Sequence, residues 1–137
     1  MKLNYRRQLL LTVFFVLLGN VLCTLKGAIA GEVVKGPYES ACHEVQSEGL
    51  QSQITVRLAD GLKAINPEDC VTVITIAGMG GPLIASILEK EVGRLAGVKR
   101  LILQPNIHAI AIREWAAENN WKIINEDILK EDDKIYE

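Results

Sequence analysis

The run Val71-Thr72-Val73-Ile74-Thr75-Ile76-Ala77, which passes directly into Gly78-Met79-Gly80-Gly81-Pro82, limits the possible folds more than any other feature. Uncharged and β-branched nearly throughout, it reads as a strand covered on both faces, as in the centre of a parallel sheet. Pro82 suits the first turn of a helix. The apolar positions Leu83, Ile84, Ile87, Leu88 and Leu95 then recur at helical spacing. A strand that feeds straight into a helix needs a crossover to reach a parallel neighbour, which is the signature of α/β architecture.

The same alternation extends on either side. Ala28–Val34 holds a short apolar strand that ends in an acid, Glu32, and Gly36-Pro37 opens a helix reaching about Gly49. Ile54–Leu58 alternates as a strand and stops at Asp60-Gly61, with a single helical turn over Leu62–Ile65. Arg100–Gln104 is a further buried strand stopped by Pro105-Asn106. A helix follows from about Ile107 to Asn120, with Ile112, Trp115 and Ala116 inward. Trp121–Ile124 and Ile135-Tyr136 read as two strands around the charged turn Lys130–Lys134. The order predicts a doubly wound α/β sheet with a C-terminal antiparallel hairpin.

At 137 residues the chain has room for one ordinary domain. Its formal net charge of −2 gives no sign of binding nucleic acid by bulk electrostatics. Cys23, Cys42 and Cys70 are scattered, and with only two histidines, His43 and His108, no metal-ligand spacing emerges. The N-terminus stands apart. Lys2, Arg6 and Arg7 precede 18 consecutive uncharged residues, ending before Lys26, and Ala28-Ile29-Ala30 has the small-residue pattern of a cleavage site. That outline fits a secretory signal or a short membrane anchor. Residues 1–25 are therefore separated from a domain over 26–137.

In a doubly wound sheet, ligands lie beyond the carboxyl ends of the parallel strands. Four such ends carry notable residues. Glu32, followed by Val33, could accept hydrogen bonds from both ribose hydroxyls, although a surface acid would look the same. Asp60-Gly61 suits a turn as well as a ligand. Gly78-Met79-Gly80-Gly81 has more glycine than a tight turn requires and would let backbone approach a ligand closely. It is neither a phosphate loop of the Walker type nor GxGxxG. Gln104-Pro105-Asn106 sets two amides at a strand terminus, where they could meet a base edge or cap a helix.

In combination, Gly31–Ala41, Val56–Leu62, Ile74–Gly81 and Leu101–Asn106, in this order and spacing, resemble the bacterial tRNA (adenine(22)-N1)-methyltransferase family. The resemblance implies a Rossmann-type methyltransferase domain, S-adenosyl-L-methionine as cofactor and tRNA as partner. It implies that Glu32 and Val33 meet the cofactor ribose and Asp60-Gly61 its adenine. Gly78, Met79, Gly80 and Gly81 would border the methyl-transfer site, with Gln104, Pro105 and Asn106 as candidates for holding the target base. Adenine N1 carries an in-plane lone pair at neutral pH, so alignment rather than a strong base would drive transfer. A paired base hides N1, so the target must be unpaired or flipped.

Family members begin the domain with a strand, a loop of the form D-I-G-S/T-D-H and a first helix, and no Asp-x-Gly precedes Glu32 in this sequence. The expectation is a sheet incomplete at its N-terminal strand, lacking also the family's helical C-terminal extension, with weak or no binding of S-adenosylmethionine. A cytoplasmic location follows from a tRNA substrate. Residues 1–25 would then be an out-of-frame or truncated start. The contrasting expectation is a small membrane-anchored or secreted α/β binding protein without activity, attached through residues 8–25. A third is a product with no function.

Overall fold

The computed structural model describes residues 27–131 and 133–137; the hydrophobic N-terminal segment lies outside them. The chain divides into two compact units, Met1–Ile65 and Asn66–Glu137. Each is built around a β-α-β crossover.

In the first unit, β1 (Ala28–Glu32) and β2 (Ile54–Leu58) run parallel, in register from Ala28 opposite Ile54 to Glu32 opposite Leu58. Helix α1 (Lys35–Ser47) connects them and buries Ala41 and Val45. After β2, a 3-10 turn over Gly61–Ala64 buries Leu62 and Ala64. Arg57 anchors this turn by donating from Nη1 to the Ala64 carbonyl at 2.7 Å.

In the second unit, β3 (Val73–Gly80) and β4 (Arg100–Ile107) are parallel, joined by α2 (Gly81–Lys90) and a 3-10 turn at Val92–Leu95. Helix α3 (Ile110–Glu118) follows β4, and a short antiparallel hairpin pairs β5 (Leu129–Glu131) with β6 (Lys134–Tyr136). Among the described residues no strand joins the two parallel pairs.

The core of the second unit centres on Ile84 and Leu88, both fully buried, with Leu95, Trp115 and Ala116 around them. Glu89 links the two helices: its Oε2 accepts from Trp115 Nε1 at 2.9 Å and from Asn119 Nδ2 at 3.4 Å. Helix α3 ends with Asn120 in the left-handed region, φ 59°, and Trp121 N–H returns to the Ala116 carbonyl at 2.8 Å. This is the closure typical of helix C-termini. It brings the Trp115 and Trp121 rings to 6.4 Å between centroids.

Three sequence expectations need correction. Leu83 is exposed, because the buried stripe of α2 runs through Ile84 and Leu88 and Leu83 falls outside it. Trp121–Ile124 forms no strand; Ile123 and Ile124 face solvent, and the hairpin begins only at Leu129, its first strand running into the segment expected to turn. Finally, β3 and β4 do not stop at Ala77 and Gln104 but continue to Gly80 and Ile107. The site explains how.

Candidate functional site

In the first unit, Glu32 and Asp60 come from adjacent strand ends. The Glu32 carbonyl accepts from Ala59 N–H at 2.8 Å, which brings the chain on either side of Asp60 against the end of β1. Gly31 makes the fit possible, since a Cβ there would lie 2.7 Å from that of Ala64. The Glu32 carboxyl is partly buried, and loss of hydration pushes its pKa above the usual carboxylate value. Asp60 is exposed and begins the 3-10 turn without a capping hydrogen bond from its side chain. Val33 and Leu58 leave apolar surface open beside these acids. A nucleoside needs such a combination: acceptors for a sugar diol and an amino group, with apolar surface for a base.

In the second unit, the glycine loop and the amide motif meet. The β3–β4 register shifts twice, since Ala77 stands opposite Gln104, Met79 opposite Pro105 and Gly80 opposite Ile107. Gly78 is therefore a surplus residue on one strand and Asn106 on the other. Pro105 has no N–H to give the ladder. Side chains replace the missing bonds: Gly78 N–H donates to Gln104 Oε1 at 2.9 Å, and Asn106 Nδ2 donates to the Gly78 carbonyl at 2.8 Å. Gln104 Nε2 in turn donates to the Pro105 carbonyl at 2.8 Å. The strands thus extend through a proline and an irregular register that the sequence reading took as their ends. Gly78 has φ 78°, a conformation natural to glycine.

At the other end of the loop, Gly81 lies so close to His108 that any Cβ would overlap the His108 carbonyl oxygen. His108 itself is left-handed, φ 56°. Nothing in the sequence marked this residue, because the contact depends on backbone geometry. A hollow of about 580 Å³ opens beside Asn106, lined also by Ile107, Asp133, Ile135 and Tyr136. The sequence reading missed these residues too, having treated the hairpin as structural. Among the described residues no cluster of three His, Cys, Asp or Glu could hold a metal ion.

The fold is that of the Rossmann-type methyltransferases, as its structural neighbours show. The TrmK methyltransferase of Bacillus subtilis superposes with a TM-score of 0.75 at 54% identity, covering 80% of this chain and 47% of that one. Sp1610 of Streptococcus pneumoniae, solved in complex with S-adenosyl-L-methionine, gives 0.78 at 55% identity over 81% of this chain and 52% of that one. Mycoplasma capricolum TrmK with S-adenosyl-homocysteine gives 0.70 at 28% identity over 81% and 49%. In sequence, the tRNA (adenine(22)-N(1))-methyltransferase of B. subtilis is 54% identical over 111 residues, 81% of this chain and 46% of that protein. The family model described as TrmK, tRNA (adenine(22)-N(1))-methyltransferase, matches residues 16–137. The chain belongs to that family, and it spans about half the length of these relatives.

Proposed function

We propose that the chain carries the nucleoside-binding and base-facing parts of a methyltransferase acting on N1 of an adenine in tRNA, with S-adenosyl-L-methionine as methyl donor. Family membership supports this reading, and the observation that carries it is the pairing of Glu32 and Asp60 on adjacent strand ends. Glu32 would accept from the ribose hydroxyls, Asp60 and the Gly61 backbone would meet the adenine edge, and Val33 would cover part of the nucleoside. When bound, the cofactor supplies an electrophilic methyl group on a sulfonium. Gly78, Met79, Gly80 and Gly81, with Gln104, Pro105 and Asn106, would shape the wall against which the target base is aligned. The hollow beside Asn106, with Tyr136 in its lining, offers room for an extruded base. No proton need be removed before attack, so the protein's contribution is orientation and exclusion of water.

The partner would be tRNA and the location the cytoplasm, where tRNA is modified. The alternative of a membrane-anchored or secreted binding protein rests on residues 8–25, which lie outside the described residues; among the described residues no helix is long and apolar enough to cross a membrane. The test is incubation of the 137-residue chain with tRNA transcript and S-adenosylmethionine, followed by mass spectrometry of the nucleosides. Methyl-adenosine is expected and should be lost in Glu32→Ala. Transfer that persists in Glu32→Ala would remove Glu32 from the site.

A further inference from the structure

We infer that Gln104 and Asn106 are positioning residues, which act on the reaction by clamping the Gly78 peptide rather than by touching the target base. The catalytic half of this inference rests on the methyltransferase reading; the clamp itself does not.

Each of the two side chains is already engaged through both its oxygen and its nitrogen. Gln104 Oε1 takes the Gly78 N–H, Gln104 Nε2 goes to the Pro105 carbonyl and, at 3.4 Å, to Asn106 Oδ1, and Asn106 Nδ2 holds the Gly78 carbonyl. One peptide residue is therefore gripped at both of its polar groups by two side chains from the neighbouring strand. The grip falls where the ladder has nothing else to offer, because Pro105 lacks a donor and Gly78 stands outside the paired register. Without it, the first of three glycines in four residues would have wide backbone freedom. With it, the orientation of the Gly78 peptide is set, and Met79 and Gly80 follow on the way into α2. Packing of Gly81 against His108 fixes the far end. The loop that borders the proposed transfer site is thus held from β4 at both of its ends.

A side chain that reads a base edge through both its oxygen and its nitrogen competes with its present partners for the ligand. Doing so here would release Gly78 at the moment when alignment matters most, and orientation is the main resource this chemistry has. Removing the clamp should therefore slow turnover and leave tRNA affinity intact.

Two measurements on the 137-residue chain test the inference. The first is amide hydrogen exchange by NMR. Gln104→Ala should speed exchange at Gly78 about tenfold, the equivalent of one lost hydrogen bond, with Ile74 to Ala77 unchanged. Gln104→Glu, which retains an acceptor oxygen, should restore protection, whereas Asn106→Asp, which sets oxygen against the Gly78 carbonyl, should not restore the native loop signals. Unchanged exchange at Gly78 in Gln104→Ala overturns the clamp. The second is steady-state methyl transfer. Lower kcat with unchanged KM for tRNA in Asn106→Ala supports positioning, and raised KM with unchanged kcat overturns it in favour of direct base contact. If the unaltered chain transfers no methyl group, the methyltransferase reading of this chain fails, and the exchange experiment alone decides the clamp.

Discussion

At the scale of single residues, Glu32 gives the most direct handle on the site. Burial without a compensating charge raises its pKa, so the folded protein holds the proton more tightly than the unfolded chain does. Folding stability contributed by this group is accordingly greatest below the ordinary carboxylate pKa and diminishes as pH rises through the raised value. Nucleoside binding should run the other way. The ionised carboxylate is the better acceptor for ribose hydroxyls, so affinity should decline as pH falls through the raised pKa, earlier than for an ordinary glutamate. Titration calorimetry with adenosine from neutral to mildly acidic pH would show this decline, and Glu32→Gln should flatten it. An unaltered profile in Glu32→Gln would mean that another group controls binding. The position of Glu32 and Asp60 at neighbouring strand ends was legible in the sequence, because the strand-helix alternation sets where each strand stops. The engagement of Gln104 and Asn106 with Gly78 was not, because an amide looks equally suited to a base edge and to a backbone peptide until the register is known.

At the scale of elements, the strand-helix alternation was readable because β-branched runs and helical periodicity differ so clearly. β2 falls on the expected residues, and the 3-10 turn of Gly61–Ala64 lies where a single helical turn was anticipated. The ends of β3 and β4 were misjudged, since glycine and proline usually stop strands and only side-chain substitution for ladder bonds lets these continue. Trp121–Ile124 misled for another reason: an apolar run needs a neighbour to pair with, and none reaches it among the described residues. The packing of α2 on α3 depends on a polar contact that periodicity does not reveal. Trp115 is 5% exposed, and its indole N–H depends on Glu89. Glu89→Ala should destabilise the second unit by about 2 kcal/mol, the range for a hydrogen bond to a charged group, and Glu89→Gln by less. Both tryptophans lie in that unit, so intrinsic fluorescence during urea unfolding follows it selectively. A change within error for Glu89→Ala would mean water satisfies the indole equally well. Arg113 ties α3 to the C-terminal segment instead, bonding Glu126 at 2.8 Å and Glu137 at 2.6 Å. These ion pairs are substantially exposed and add little to stability.

At the scale of the molecule, the parallel strands are arranged as two pairs, and two-stranded sheets depend on helix packing for their stability. Among the described residues, only Ile84 and Leu88 are large side chains wholly removed from solvent. A domain so sparingly packed should respond clearly to ligand, because anything that binds only the folded form stabilises it by mass action. The proposed contacts of Glu32 and Asp60 would address the nucleoside, so S-adenosylmethionine and adenosine should raise the thermal midpoint of the 137-residue chain to similar extents. Both should require concentrations above the micromolar range. A rise with S-adenosylmethionine at micromolar concentration, absent with adenosine, would show that the methionine end is also held. The family match begins at residue 16, within the apolar stretch that the sequence reading set apart from the domain at residue 26.

The two surplus residues, Gly78 and Asn106, cancel: one on each strand, they return β3 and β4 to their starting alignment by Gly80 and Ile107. Deleting either alone would throw the strands out of phase beyond that point and reverse which way the following side chains face. Deleting both would keep the strands aligned while removing the peptide and the amide that grips it. The irregularity is thus a matched detour, which can be lost as a pair without disturbing the sheet but not one member at a time.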